Sequence, residues 1–154
     1  MNANEIRTAI VDLLRSTGRP GIERIIGYLG RSDFFSAGCH HHHRFAGGLA
    51  RHSLEACTWA LANRGSLPRG SVILGMLLHD ICTAYSPESC GIGGHGRRSV
   101  RILGSVCGFR MTNDEYEAIK LHMHRDAPQM RTNALAALVN KADRMSASGR
   151  VRPE

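Results

Sequence analysis

Apolar residues recur at helical spacing along most of the chain. Over residues 5–16 (EIRTAIVDLLRS), Ile6, Ile10, Leu13 and Leu14 fall on one face of a helix. Gly18 stops that helix and Pro20 opens the next, in which Ile22, Ile25, Ile26 and Leu29 repeat the pattern. The segment SDFFSAGCHHHHRFAGG (32–48) has no such period and reads as a loop closed by Gly47 and Gly48. A third helix is predicted over about 49–63, turning Leu49, Ala56 and Ala60 inward. A fourth, introduced by Pro68 and Gly70, is predicted over about 70–84. Its VILGMLLHDIC stretch is apolar nearly all round, which places it at the centre.

Residues 86–95 (SPESCGIGGH) read as a loop over one end of the bundle. A helix over about 96–107 presents Val100, Leu103 and Cys107. Thr112-Asn-Asp-Glu115 is a capping box, in which the hydroxyl and the carboxylate each satisfy a backbone N–H at a helix start. That helix is predicted to run to about His124, with Pro128 in the loop beyond. A last helix, about 132–147, carries Leu135, Val139 and Asp143 in one stripe at four-residue steps. No useful β alternation and no internal repeat is seen. The expectation is an all-α, compact bundle of about seven helices in a single domain, 1–154.

Composition fits this picture. A chain of 154 residues with 42% hydrophobic residues can bury one core without staples. No apolar run reaches the roughly 18 residues of a membrane span, and MNANEIRTAI lacks a signal-peptide layout. A cytoplasmic protein with no membrane partner is expected. Five cysteines (Cys39, Cys57, Cys82, Cys90, Cys107) are an odd number without a C-x-x-C pair, which argues for reduced, small buried thiols. The net charge of +7 favours an anionic ligand, whether nucleotide or nucleic acid. Aromatics at 5% provide no stacking platform for single strands.

Nine histidines are the unusual feature. Four form the run His40–His43; the others are His52, His79, His95, His122 and His124. His79 and Asp80 end an apolar helix near the core, where a carboxylate beside an imidazole is costly unless paired or bound to a cation. Adjacent helical residues point about 100° apart, so both reach one ion only in a crevice between helices. His52, in mid-helix, and Asp143, on an apolar stripe, are the residues that can converge there. Singly each has an ordinary explanation: such a histidine is most often a hydrogen-bonded core residue, and such an aspartate a cap or ion pair. Their order on successive helices points to one or two divalent ions (Mn, Fe, Ni, Mg or Zn), to which imidazole and carboxylate are suited.

This order, His52…His79–Asp80…Asp143, resembles that of the HD-domain superfamily of helical metal-dependent phosphohydrolases. GGLARHSLEA (47–56) is similar to the family's GGL-x-x-HSL segment, and GMLLHDIC (75–82) to its LLHD segment. GHGRRSV (94–100) resembles the GH-G-x-x-S turn, IKLHMH (119–124) a further histidine segment, and KADRMSAS (141–148) the closing AD-x-x-S. With SDFFSAG (32–38), similar to a small bacterial and phage branch, the resemblance covers about 33–148. It leaves 1–31 as N-terminal helices and 149–154 as a tail.

The resemblance implies a first ion on His52, His79, Asp80 and Asp143. A second would lie on Asp80, His95 and His122, with His124 as a substitute for His122. It implies catalytic roles for Asp80, His95, Lys120 and Arg144, and substrate contacts from His42, Arg97, Arg98 and Lys141. The expected reaction is attack on phosphorus by a hydroxide held between metals. The expected substrate is a nucleotide or nucleic-acid end, with self-association of the chain left open. Thr83 departs from the family, whose members often have lysine there, and Arg97 stands where this branch often has an acidic residue. Two other readings remain at this point: a di-iron oxygenase, and a non-catalytic nucleotide- or nucleic-acid-binding module.

Overall fold

The computed structural model describes residues 1–39, 41–84 and 94–150. Among these the chain is all-helical, with α1 (Ala3–Arg15), α2 (Ile22–Arg31), α3 (Gly48–Ala62) and α4 (Arg69–Leu78) followed by α5 (His95–Arg101), α6 (Asn113–Lys120), α7 (Gln129–Thr132) and α8 (Ala134–Ala147). No strand occurs among the described residues. α4 is the axis: every residue from Val72 to Leu78 is buried, and α1, α3, α6 and α8 pack around it. Gly75 lets α8 approach closely, its missing Cβ leaving room for Val139.

The ends of three helices differ from the sequence expectation, each for a visible reason. The fourth helix stops at Leu78 instead of about 84. His79 caps it in helical conformation, and Asp80 leaves it at φ −106°, ψ 20° before a single 3₁₀ turn, Ile81–Thr83. α6 stops at Lys120, four residues before His124, and the chain passes through turns to the added short helix α7 behind Pro128. α5 widens after Arg101 into a π-helical turn, Ile102–Val106, where Gly104 and Ser105 are weak helix formers. Of the loop expected over 86–95, residues 85–93 lie outside the described residues, as do Cys90, His40 and 151–154.

Capping and one buried ion pair hold the ends together. The Thr112 hydroxyl accepts from the Glu115 N–H at 3.2 Å, and the Thr112 N–H donates to Glu115 Oε2 at 2.9 Å. Glu115 is fully buried and does more than cap. It accepts both arms of the Arg19 guanidinium, at 2.6 and 3.1 Å, and the Ser71 hydroxyl at 2.8 Å. Those bonds outweigh burial, so its pKa falls below the ordinary value, and α6 is tied to α4 and to the turn after α1.

Two glycines are required by close approach. A Cβ on Gly48 would overlap the His43 carbonyl, where the 32–47 loop folds back on the start of α3. A Cβ on Gly96 would overlap the carbonyls of Ile119 and Lys120, where α5 crosses the end of α6. Gly96→Ala is therefore expected to cost about 1–3 kcal/mol, by forcing the two helices apart. Gly104→Ala, with nothing within 4 Å, should change stability by less than about 1 kcal/mol. Urea unfolding of both variants measures the difference.

Candidate metal centre

Two of the central imidazoles are oriented by helix ends. An α-helix leaves the carbonyls of its last turn without partners. At the end of α4, His79 Nδ1 lies 2.7 Å from the Met76 carbonyl; after α6, His122 Nδ1 lies 2.7 Å from the Ile119 carbonyl. In both, Nδ1–H donates to the carbonyl three residues back, so Nε2 is turned inward as the basic nitrogen. The shortened helices are thus part of the site. The helix ends at His79, and His79 and Asp80 together face one crevice between helices.

His52, in the middle of α3, is oriented from the side. Its Nδ1 lies 3.0 Å from Ser146 Oγ on α8. The Ser146 hydroxyl has Glu55 Oε2 at 3.3 Å and the His52 carbonyl at 3.4 Å as acceptors. Either one takes its hydrogen, leaving Oγ to accept from His52 Nδ1–H. Glu55 also accepts from His43 Nε2 at 2.9 Å, so the carboxylate ties the histidine-rich loop to α3 and α8.

The three inward nitrogens meet two carboxylates. Asp143 Oδ1 lies 3.0 Å from His52 Nε2 and 3.5 Å from His79 Nε2, and these two nitrogens are 3.3 Å apart. Asp80 faces two ways: Oδ2 is 3.6 Å from His79 Nε2, and Oδ1 is 3.2 Å from His122 Nε2. His122 Nε2 is nonetheless a buried polar atom without a hydrogen-bond partner. Two sets of potential ligands result, His52–His79–Asp143 and His79–Asp80–His122, each with its ligand atoms within 4.8 Å of one another. Basic nitrogens and carboxylate oxygens crowded together in a buried site repel unless a cation lies among them. These residues fit a divalent ion.

The electrostatics lead to the same conclusion. Burial opposes charge on His79, but the Asp80 charge and the hydrogen bond and charge of Asp143 outweigh it and raise its pKa to about 9. Burial also opposes ionisation of Asp80 and Asp143, yet the facing imidazoles outweigh it and hold both below the usual carboxylate range. Burial dominates for His52, lowering its pKa. Without metal, then, a proton on His79 stands where a cation is wanted. Against two carboxylates it leaves a net negative charge, which a dication would remove.

The centre is the floor of a cavity of about 270 Å³. Asp80, His122 and Asp143 line it with His42, Thr83, His95, Arg125 and Arg144. His95 stands on the cavity wall, its Nδ1 3.7 Å from Cys82 Sγ, outside both ligand sets. The His42 ring lies against His52, tilted by 52° with centroids 4.4 Å apart, and burial lowers its pKa to about 4. His122, not His124, meets Asp80; His124 is exposed in an outer groove with Arg97 and Lys120. Lys141 lies outside the cavity, its Nζ 5.6 Å from the centre of the Trp59 ring, and Arg98 lines neither cavity nor groove. Cys39, Cys57, Cys82 and Cys107 are buried free thiols; burial pushes Cys39 and Cys57 up to about 12.

Sequence reasoning assigned no role to Glu55, Ser146, His43 or Arg125. The signal was there for two of them: Glu55 follows His52 by three residues and Ser146 follows Asp143 by three, on the same helix faces. Arg125 directly follows the His122–His124 segment, but only the turn after α6 brings it to the cavity.

Three measurable consequences follow from this geometry. His79 is raised from 6.5 to about 9, so its stabilising charge is fully present below about pH 6.5 and lost as pH rises through about 9. The melting temperature of the metal-free protein should fall across that window, and added Mn²⁺ should restore it. At pH 7, calorimetry in buffers of different ionisation enthalpy should show about one proton released in all as the centre fills, the one displaced from His79. Ser146→Ala should weaken Mn²⁺ binding about 10–100-fold, the usual cost of losing a group that orients a ligand. Unchanged affinity would remove Ser146 and Glu55 from the site.

The family model for the HD domain matches residues 49–148, from the start of α3 to just past the end of α8. That span carries His52, His79, Asp80, His122 and Asp143. Comparison with curated proteins and with solved structures gives no match. With about two thirds of its length matched and the His-Asp doublet at the centre of its fold, the chain belongs to the HD-domain family, whose members bind divalent metals and are generally hydrolases.

Proposed function

We propose that the protein is a metal-dependent phosphohydrolase acting on a nucleotide or on the end of a nucleic acid. One observation carries the reading: three imidazole Nε2 atoms and two carboxylates converge on the floor of a cavity whose walls hold Arg125 and Arg144. His52, His79 and Asp143 would hold one ion. Asp80, with its oxygens turned toward His79 and His122, suits a carboxylate shared with a second. His95 on the cavity wall is the further ligand we assign to that second ion. Bound divalent cations would supply a water acidic enough to attack at neutral pH and would draw charge from the phosphoryl oxygens.

The chain's own side chains account for the rest of the reading. Arg125 and Arg144 present guanidinium groups, which pair with phosphate oxygens in a bidentate fork. They supply positive charge on the cavity where Thr83 stands in place of the lysine common in relatives. His42, with its pKa lowered to about 4, is neutral at pH 7. A neutral ring beside the floor can donate its N–H to a phosphate oxygen without adding charge next to His52.

The test is a panel of phosphomonoesters and phosphodiesters with Mn²⁺, Ni²⁺, Mg²⁺ or Co²⁺. Hydrolysis of at least one is expected, with Asp80→Ala and Asp143→Ala each lowering kcat/KM by 100-fold or more while the variants stay folded. Arg144→Ala should lower kcat/KM about 10–100-fold, as for loss of a charged hydrogen bond of about 1.5–3 kcal/mol. Lys141→Ala, outside the cavity, should stay within about threefold. Retained iron with a visible or EPR signal after aerobic purification, and no ester cleaved, would favour a di-iron oxygenase instead. Tight nucleotide binding with no turnover under any metal would favour a binding module.

A further inference from the structure

The cavity above the metal centre is at the small end for the substrate class just proposed. Small-molecule sites commonly occupy about 300–1,000 Å³, whereas this cavity has about 270 Å³. Among the described residues an adjoining space can take a further part of a larger substrate. An open groove of about 660 Å³ shares His95, Met123 and Arg125 with the cavity, so the two adjoin at those side chains.

The groove is built from the start of α5, the end of α6 and the turn beyond it. Arg97, Lys120, His124 and Arg125 line it, against Asp126 as the acidic member. Arg97, His124 and Arg125 are exposed, and Lys120 is half-buried with its Nζ 5.3 Å from the centre of the Tyr116 ring. At the junction with the cavity stands Met123, an apolar side chain 58% exposed. An exposed methionine flanked by cations suits a ligand that is flat and apolar in one part and anionic in another. A nucleoside carrying phosphate on its far side is such a ligand.

Given the phosphohydrolase reading, we infer that the substrate carries a second phosphate beyond the one at the metal centre. Its intervening nucleoside lies against Met123, and the second phosphate lies in the groove among Arg97, Lys120 and His124. Arg125, lining both spaces, stands between the two phosphates. Arg97 and Lys120, expected from the sequence to act at the reacting phosphate, are thereby reassigned to the distal one.

The experiment measures binding, so it does not depend on turnover. Adenosine 5′-monophosphate, adenosine 5′-diphosphate and the dinucleotide pApA are titrated calorimetrically into the Mn²⁺-loaded full chain, each recovered and checked to be intact, from 50 to 200 mM salt. The expected result is pApA binding at least tenfold tighter than the monophosphate, with the diphosphate close to the monophosphate. Arg97→Ala and Lys120→Ala, checked for unchanged melting temperature, should each weaken pApA about three- to tenfold. Each should also flatten the dependence of log K on log salt by close to one charge, with monophosphate binding little changed. A diphosphate binding as tightly as pApA would overturn the intervening nucleoside. Equal affinity for monophosphate and pApA, or variants that weaken both alike, would overturn the second-phosphate site. Failure of the hydrolysis panel with these binding differences intact would instead count against the catalytic reading alone.

Discussion

The structure turns on a repulsion that only a cation relieves. Three buried imidazoles have their Nδ1 hydrogens committed to Met76, Ile119 and Ser146, so their basic Nε2 atoms face one another and two carboxylates. Such a set is costly in a protein interior. The fold nevertheless holds it by packing α3, α6 and α8 around α4. In the metal-free state His79 carries the compensating proton. Metal binding and protonation are therefore alternative solutions to one problem, and either accounts for a cluster that core packing alone would disfavour.

The device that aims the rings is economical. The unsatisfied carbonyls at the ends of α4 and α6 would otherwise need water or a cap. Histidine satisfies each one and, by doing so, fixes its own tautomer. The same contact ends the helix, orients the ligand and leaves Nε2 ready to bind. At the end of α4 the neighbouring Asp80 faces the same crevice as His79. Gly96 allows α5 to cross the end of α6 next to the carbonyl that orients His122.

Much of this was legible in the sequence. The apolar stripes of α1, α2 and α8, the wholly apolar α4 and the Thr112 capping box required only local pattern. The convergence of His52, His79, Asp80 and Asp143 could be argued from the cost of burying them. The early ends of α4 and α6 were not legible, because residues 79–84 and 121–124 carry no glycine or proline stop. There the tertiary demand for histidine orientation overrides continuation of the helix. Nor could local pattern separate Lys141 from Arg144. They are three residues apart on α8, yet one lies over Trp59 and the other lines the cavity.

The 32–47 loop adds a further dependence. His43 holds a left-handed backbone conformation, φ 46°, uncommon outside glycine, while its carbonyl lies against Gly48 and its ring is bonded to Glu55. This anchoring presents the neighbouring His41 and His42 on the cavity wall. Glu55 is also within hydrogen-bond reach of Ser146, the partner of His52 Nδ1. One buried carboxylate thus holds both the loop that shapes the cavity and the chain of contacts that orients a candidate metal ligand. His43 and Ser146 reach the same oxygen, Glu55 Oε2, so the loop that shapes the cavity and the contacts that orient His52 share one acceptor.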